Sequence, residues 1–286
     1  MRNVLKYGDR QGYGLTMIKP TGTMILALGL ALGMTTAQAD DYIVAVEPSF
    51  PADQAARVYQ PLLDYLAQAT GHRFTLHVPQ NYHAMWREIR TDRAIDFALE
   101  DAHFADYRIQ RFGFQPLART VEPTRFHLIV QPHLADDGAM GLVGSRVVTM
   151  PAPSLGSAML ASVYPNPIAQ PEFESSAASW RDGVEMVFAD EAEGAMVPSF
   201  IAELYPNLVS VFESPEFPGR TVLASPMVPV EVRESVREAL LALSPDGDLY
   251  ELLAELGISG FQPADAESID GQDEILRAFF GFQPRP

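Results

Sequence analysis

The sequence predicts an α/β protein of two lobes with a ligand cleft between them, and three observations support this fold class. Short apolar runs alternate with amphipathic helical patterns, which is typical of sheets covered by helices. The chain has 286 residues, of which 47 % are apolar, enough for two modest units that each bury a core. A Gly-rich stretch at 138–144 separates two series of such patterns.

The first series predicts a parallel sheet with helices on both faces, because strands and helices alternate regularly. The predicted strands are 42–46, 74–78, 95–99 and 125–131, and the predicted helices are 52–69, 81–89 and 102–111. The helix 52–69 has one apolar face at helical spacing, formed by Ala56, Tyr59, Leu63 and Leu66. Ser49 and Asn81 are the predicted N-terminal caps of the first two helices.

The second series begins after the Gly-rich stretch. Its predicted strands are 146–150, 194–197, 208–212 and 221–224, and its predicted helices start at Ser157 and cover 180–189 and 230–243. Two short helices, 249–256 and 274–280, are predicted in the tail after Pro245. The sequence leaves open whether this tail packs on a lobe or contacts a partner. Two such α/β lobes predict a cleft in which a small ligand binds beyond the strand ends.

Residues 1–39 have the pattern of a cleavable export signal. Basic residues precede an apolar run of eleven, Met24–Met34, and Ala37-Gln38-Ala39 has the spacing of small residues that signal peptidase accepts. The run is shorter than the about 20 residues that span a bilayer, which disfavours the alternative of a membrane anchor. We expect the mature protein to begin at Asp40, with translation starting at Met1 or Met17.

The composition excludes several classes of function. The formal net charge is −17, so nothing offsets the repulsion of nucleic-acid phosphates, and no nucleic-acid partner is expected. The chain contains no Cys, which excludes disulfides, thiolate metal sites, thiol nucleophiles and an anchor on a lipid-modified cysteine. Together with the export signal, this predicts an exported protein without a lipid anchor.

Motifs for catalysis are sparse. None of the six His forms a zinc-binding pattern, and the sequence has no nucleophile elbow, phosphate-binding loop or dinucleotide fingerprint. The carboxylate pair Glu100-Asp101, at the end of the third predicted strand, is the one candidate for acid–base chemistry, and a solvated strand end explains it equally well. We predict no enzyme, no metal and no cofactor.

Several motifs occur in a fixed order between Tyr42 and Leu243. They are Tyr59–Leu66 (YQPLLDYL), Asn81–Ala84 (NYHA), Ala94–Ala98 (AIDFA), Gly144–Val147 (GSRV), Glu213–Arg220 (ESPEFPGR) and the helix Val228–Leu241. In this order and spacing they resemble the periplasmic substrate-binding proteins of phosphate, phosphite and phosphonate importers of the ABC type. The resemblance covers nearly all of the predicted mature chain.

This resemblance implies a type II periplasmic binding protein with a central mixed sheet in each lobe. Lobe 1 would comprise residues 40–122 and 213–286, lobe 2 residues 123–212, and the hinge would lie near 121–124 and 212–218. The protein would act as a monomer that passes a small ligand to an inner-membrane ABC permease. A ligand-sensing module for a membrane receptor or histidine kinase is the alternative, and an enzyme using Glu100 or Asp101 is a third.

The resemblance also implies where the ligand binds. The family holds an anion with hydroxyl and amide groups at a helix N-terminus, and the matching residues here are Ser154, Leu155, Gly156 and Ser157, with Leu155 replacing a threonine. Trp180 stands near the position of a ligand-contacting histidine, and Glu100 at that of a tyrosine, with Asp101 next to it. The remaining predicted contacts are Phe50, Tyr82, Arg125 and Arg181. Tyr82 and Trp180 also fit as core residues.

These departures predict a ligand other than bare phosphonate. A carboxylate at Glu100 would repel a dianion, since two unit charges 4 Å apart repel by about 4 kcal/mol at an effective dielectric constant near 20. It would attract an amine, and Tyr82 and Trp180 offer ring faces to a cation or an aromatic group. We expect a small zwitterionic, cationic or aromatic ligand, with Arg125 and Arg181 as countercharges for an anionic group.

Overall fold

Two β-sheets with helices packed on them make up residues 39–280, the part of the chain that this computed structural model describes. The predicted export signal lies outside the described residues, except for Ala39. The elements up to the second sheet are β1 (Asp41–Val46), α1 (Ala52–Thr70), β2 (Arg73–His77), α2 (Tyr82–Arg90), β3 (Phe97–Glu100), α3 (Ala102–Phe112) and β4 (Gln115–Thr120). Those from β5 to β9 are β5 (Phe126–Val130), β6 (Arg146–Val148), α4 (Leu155–Val163), β7 (Glu172–Glu174), α5 (Trp180–Phe188), β8 (Gly194–Pro198), α6 (Ser199–Ala202) and β9 (Val209–Glu213). The last are β10 (Thr221–Ala224), α7 (Val230–Leu241), α8 (Tyr250–Glu255), β11 (Phe261–Pro263) and α9 (Glu274–Phe280).

The first sheet is mixed and has the strand order β11-β4-β10-β3-β1-β2. Strands β2, β1 and β3 are parallel, as the alternating pattern predicts, whereas β10 runs antiparallel to both β3 and β4. The mixed sheet that the resemblance implies is therefore confirmed, and the local alternation accounts only for its parallel strands. The pattern missed β4, in which Pro116 interrupts the apolar run, and it could not reveal that β10 returns from far along the chain.

The second sheet is also mixed, with the order β7-β6-β8-β5-β9. Strand β6 is parallel to β7 and β8, and β5 is antiparallel to β8 and β9. The local alternation grouped β5 with the first series of elements, whereas the predicted lobe boundaries put it in lobe 2; β5 pairs only within the second sheet. Local alternation predicts that a strand forms, and long-range pairing decides which sheet receives it.

Two antiparallel chain segments cross between the sheets. Thr124 and Phe217 exchange backbone hydrogen bonds of 3.0 and 2.8 Å, and the Phe126 N–H donates to the Ser214 hydroxyl at 3.0 Å. These segments overlap the predicted hinge. The first sheet takes its strands from residues 41–120 and 221–263, and the second takes its strands from residues 126–213. The predicted lobe boundaries stay a prediction.

Helix α1 packs its apolar face against the first sheet. Tyr59, Leu63 and Leu66 are buried as predicted, but Ala55 rather than Ala56 completes the buried face. The prediction that Ser49 caps this helix is wrong. The residue before α1 is Pro51, which makes no side-chain cap, while the Ser49 hydroxyl lies 3.3 Å from the Tyr82 hydroxyl. Asn81 does cap α2, accepting a hydrogen bond of 2.8 Å from the Ala84 N–H.

The tail after Pro245 packs on the folded chain. Helix α8 contacts α1, and α9 contacts both α3 and α4. The Asp273 N–H donates to the Asp106 carboxylate at 3.0 Å, and Leu276 is fully buried. Among the described helices, none combines the length and the apolar character needed to cross a membrane.

Candidate functional site

A cavity of about 460 Å³ opens between the two sheets. Glu47 and Asp101 reach it from the ends of β1 and β3, and Tyr82 reaches it from the start of α2. Phe126, Trp180 and Phe200 face them from the side of the second sheet. The cavity therefore lies beyond the carboxyl ends of the parallel strands, where open α/β sheets bind their ligands.

Glu47 is buried at the floor of this cavity, with 6 % of its surface exposed. One carboxylate oxygen accepts the Asp101 N–H at 2.6 Å, and the other accepts the Tyr82 hydroxyl at 2.8 Å. Burial and the nearby Asp101 carboxylate raise the pKa of Glu47 well above its ordinary value, because both disfavour the charged form. Burial also raises the pKa of Tyr82, so its hydroxyl stays protonated.

Asp101 is the residue before α3 and lines the same cavity. Its side chain makes no cap to the helix, which leaves the carboxylate turned towards Thr124 and Arg220. Burial raises the pKa of Asp101 to about 6, and the positive charge of Arg220 partly opposes this rise. Asp101 is thus half ionised at a mildly acidic pH.

Carboxyl groups dominate the charge of the cavity. Within the described residues its lining includes six carboxyl groups and two guanidinium groups; the acids are Glu47, Asp101, Glu122, Glu203, Glu213 and Glu216. Arg125 is occupied by ion pairs with Glu213 and Glu216. Arg220 donates to the Leu256 carbonyl at 2.5 Å and lies 5.7 Å from the Phe200 ring centroid. The cavity is therefore acidic and partly aromatic.

The N-terminus of α4 is covered by aromatic rings. A Cβ atom on Gly156 would lie 2.8 Å from Cη2 of Trp180 and 3.0 Å from Cε1 of Phe126, so both rings lie directly on the backbone there. Ser154, Leu155 and Gly156 are buried, and the Ser154 hydroxyl accepts the Ser157 N–H at 3.2 Å and donates to the Met150 carbonyl. A helix N-terminus attracts anions only when they can approach it.

A second cavity, of about 350 Å³, adjoins the first. Ser49, Phe50, Trp180 and Phe200 line both cavities, so aromatic rings separate them. Arg181 lines this second cavity and forms an ion pair with Glu255 at 3.1 Å. Arg181 is therefore not free to bind an anion in the first cavity.

Glu100 does not reach either cavity. It is 1 % exposed, and both of its oxygens accept hydrogen bonds of 2.9 to 3.0 Å from Arg108. The expectation that Glu100 faces the ligand is corrected by this arrangement, because strand alternation turns its side chain to the opposite face from that of Asp101. Glu47 and Asp101 are the buried carboxyl groups that line the first cavity.

Apart from Glu100, the predicted site residues fall into three groups. The first cavity is lined by Phe50, Tyr82, Asp101, Arg125 and Trp180. Ser154, Leu155, Gly156 and Ser157 form the covered start of α4, and Arg181 belongs to the second cavity. Sequence reasoning missed Glu47, Phe200 and Arg220. Glu47 directly follows a buried strand, which is a signal that the sequence carries, whereas Phe200 and Arg220 enter the cleft only through tertiary contacts.

Metal binding has no support in residues 39–280, where no group of His, Asp or Glu side chains has the arrangement of a metal site. The cavity instead presents hydrogen-bond acceptors, negative charge and ring faces. These are the groups that hold an organic ammonium ion.

Comparison with known proteins gives the family and the fold. A family model described as the periplasmic phosphonate substrate-binding protein of ABC transporters matches residues 44–269. The fold is similar to that of a binding protein component of an ABC phosphonate transporter from Pseudomonas aeruginosa, with a TM-score of 0.69 and 17 % identity over 84 % of this chain and 85 % of that one. No curated protein matches the sequence.

Two further structures have the same fold at low identity. PhnD1 from Prochlorococcus marinus, solved with methylphosphonate, has a TM-score of 0.71 and 13 % identity over 85 % of this chain and 99 % of that one. A Xanthomonas citri protein bound to ATP has a TM-score of 0.61 and 15 % identity over 82 % of this chain and 95 % of that one.

Proposed function

Because the chain belongs to the family of periplasmic phosphonate substrate-binding proteins of ABC transporters, we propose that its cleft captures a small molecule carrying a positively charged amine. Members of this family are substrate-binding components that work with a permease, and they are not enzymes. The ligand class is the part that is proposed here. The observation that carries it is the contrast between an acidic cavity and a covered anion site.

The acidic cavity supports an ammonium ligand. Glu47 and Asp101 are buried together at its floor, and Arg125 is already neutralised by two glutamates. An ammonium group entering here would meet carboxylate oxygens at low dielectric, where opposite charges attract more strongly than in water. The rings of Phe50 and Trp180 would contact the apolar part of such a molecule or face its charge.

The covered start of α4 argues against a bare phosphonate or phosphate. The indole of Trp180 and the ring of Phe126 occupy the space in front of Gly156. Ser154, Leu155, Gly156 and Ser157 do not belong to the lining of the first cavity, so an oxyanion held there would not contact the start of α4. The P. marinus relative holds methylphosphonate and the X. citri relative holds ATP, so ligands of different chemistry occur within this fold.

We further propose how the protein works in the cell. It acts as a monomer in the periplasm after removal of its export signal, and it contacts an inner-membrane ABC permease transiently. The lobes formed by residues 40–122 with 213–286, and by residues 123–212, close on the ligand by a hinge motion. The backbone bridge between Thr124 and Phe217 supports a hinge in these two crossing segments.

A thermal-shift screen of the purified protein at high salt tests the ligand class. The panel contains phosphate, phosphite, methylphosphonate, aminoalkylphosphonates, amino acids, betaines and aromatic amines. A ligand at 100 times its dissociation constant adds about 2.7 kcal/mol to the stability, which gives a clear shift in the melting temperature. We expect shifts from amine-bearing compounds. A shift produced only by phosphate, phosphite or methylphosphonate would reject the proposal.

Trp180→Ala provides a matched comparison. Removing the indole uncovers the start of α4, so we expect this variant to gain a thermal shift with methylphosphonate that the wild-type protein lacks. The variant is also expected to be less stable by about 3 kcal/mol, because a buried Trp is lost. If methylphosphonate shifts the wild-type protein and the variant equally, Trp180 does not cover the anion site.

A further inference from the structure

A short chain of hydroxyl and carboxyl groups runs from the cavity floor to its wall. The Tyr82 hydroxyl lies 2.8 Å from a Glu47 oxygen and 3.3 Å from the Ser49 hydroxyl. When Glu47 is ionised, Ser49 donates to Tyr82 and Tyr82 donates to Glu47. When Glu47 is protonated, each donor and acceptor exchanges its role, so that Glu47 donates to Tyr82 and Tyr82 to Ser49. Both charge states of Glu47 therefore have a complete set of hydrogen bonds.

The charges that surround Glu47 come from several elements. Negative charge comes from Asp101 at the start of α3 and, to a smaller extent, from Glu100, which is paired with Arg108. Positive charge comes from Arg220, which acts on Asp101 and is not hydrogen-bonded to Glu47. The ionisable phenols nearby are Tyr59 of α1 and Tyr82 of α2. From the opposite wall, Arg125, His127 and Glu203 face the cavity.

Glu47 and Asp101 are two buried carboxyl groups, and the guanidinium of Arg220 is the one positive charge that compensates them. Ionising both Glu47 and Asp101 in the empty cleft would leave one negative charge buried without a partner, which is costly at low dielectric. One proton on the pair removes this cost, and the reversible hydrogen-bond chain accommodates it. The raised pKa of Glu47 and the pKa of about 6 for Asp101 agree with a retained proton.

We propose that the Glu47–Asp101 pair holds one proton while the cleft is empty and releases it to solvent when an ammonium group binds. The carboxyl O–H bond breaks, the proton passes to water, and the carboxylate pairs with the ammonium ion, which keeps its own protons. Ligand capture is then an exchange of a cation for a proton. This inference rests on the proposed function, because it needs a cationic ligand.

The exchange predicts that ligand affinity depends on pH. Below pH 6 the proton competes with the cation, so affinity falls by about tenfold for each pH unit of acidification. Above the pKa values of the pair, affinity becomes independent of pH. An acidic medium would therefore release the ligand, and a neutral medium would favour capture.

Calorimetric titration with phenethylammonium at pH 6 tests the exchange. The titration is done in buffers with different enthalpies of ionisation, because the dependence of the binding enthalpy on the buffer gives the number of protons released. We expect about one proton for the wild-type protein. Glu47→Gln, which mimics the protonated carboxyl, should release clearly fewer protons than the wild-type protein, because only Asp101 can then contribute. Glu231→Gln, which removes an equal charge from an exposed position on α7, should behave like the wild-type protein.

Infrared difference spectra of the empty protein separate this inference from the proposed function. We expect a protonated carboxyl band at pH 6 that is weaker in Glu47→Gln and in Asp101→Asn than in the wild-type protein. Binding of phenethylammonium without proton release would overturn the exchange but leave the amine ligand class intact. If the carboxyl band is present and no amine of the screen binds, the proposed ligand class fails while the retained proton stands. Absence of the band overturns the inference.

Discussion

The indole of Trp180 rests on Gly156, with Cη2 only 2.8 Å from where a Cβ atom of that glycine would be. Phe126 and the Thr149 hydroxyl lie at 3.0 Å from the same point, so three buried side chains enclose the glycine. Gly156→Ala should therefore displace packed rings rather than a flexible chain end. We expect the free energy of unfolding to fall by about 1–3 kcal/mol, measured by denaturant titration.

Gly183→Ala is the control for that variant. Gly183 lies within α5, and its added Cβ would meet its nearest neighbours at 3.6 to 3.9 Å, which is ordinary contact. Alanine is the better helix former, so the change should be neutral or stabilising by up to about 1 kcal/mol. Equal destabilisation by both substitutions would show that crowding by Trp180 is not the cause.

The ion pair with Arg108 predicts that Glu100 stabilises the fold and does not contact the ligand. Arg108→Met should lower the free energy of unfolding by about 3–5 kcal/mol, because the buried Glu100 carboxylate loses its partner. The double variant Glu100→Gln, Arg108→Met should recover part of this loss, since no buried charge remains. Urea denaturation of both variants measures the difference.

Ligand affinity distinguishes Asp101 from Glu100. At neutral pH, Asp101→Asn should weaken the binding of phenethylammonium by about tenfold or more, because it removes a carboxylate from the cavity. The double variant of Glu100 and Arg108 should bind within about twofold of the wild-type protein. Stronger loss in the double variant than in Asp101→Asn would indicate that Glu100 acts on the ligand after all.

The raised pKa of Asp101 predicts how stability depends on pH. In the folded protein this carboxyl keeps its proton up to a pKa of about 6, whereas its ordinary value is 3.8. The folded state therefore binds more protons between these values, and stability falls as the pH rises from about 4 to 6. Asp101→Asn should remove about 2 kcal/mol of this decline in denaturant titrations. An unchanged slope would contradict the prediction.

Buried His103 predicts the opposite pH dependence of stability, a loss of stability as the pH falls. Its imidazole is buried and lies 3.1 Å from the Pro153 carbonyl, and burial lowers its pKa from 6.5 to about 4. The unfolded state binds the proton more readily, so this residue destabilises the folded state as the pH falls through that window. His103→Gln, which retains a donor for the carbonyl, should reduce the acid-induced loss by about 3 kcal/mol. Denaturant titrations from pH 7 to pH 4 measure this loss in the wild-type protein and in His103→Gln. Equal losses in the two proteins would show that the ring is solvated.

Much of the fold follows from local patterns. The bounds of α1, α3, β10 and α9 agree with the sequence prediction to within about a residue or two, because amphipathic spacing and glycine ends mark them. Strands β4, β7 and β11 were missed. They are short or contain proline, and pairing with neighbouring strands rather than their own pattern makes them strands.

The candidate site was harder to predict than the fold. Asp101 could be chosen because it follows a strand, where α/β proteins place their ligands, whereas Trp180 was chosen from the family resemblance and Tyr82 as an aromatic candidate beside it. Phe200 and Arg220 could not, since their shared position depends on a contact between distant segments. The sequence also did not reveal the direction of each side chain. Of the neighbours Glu100 and Asp101, Asp101 reaches the cavity and Glu100 pairs with Arg108.

By itself, the sequence determined the two series of α/β elements, the acidic charge and the family resemblance, because periodicity, composition and motif order are properties of the chain. The tertiary structure decided which strands share a sheet, which carboxyl groups line the cavity and which rings cover the start of α4. These features depend on contacts between residues far apart in the chain. Local sequence does not encode such contacts, since their energies arise only when the distant surfaces meet.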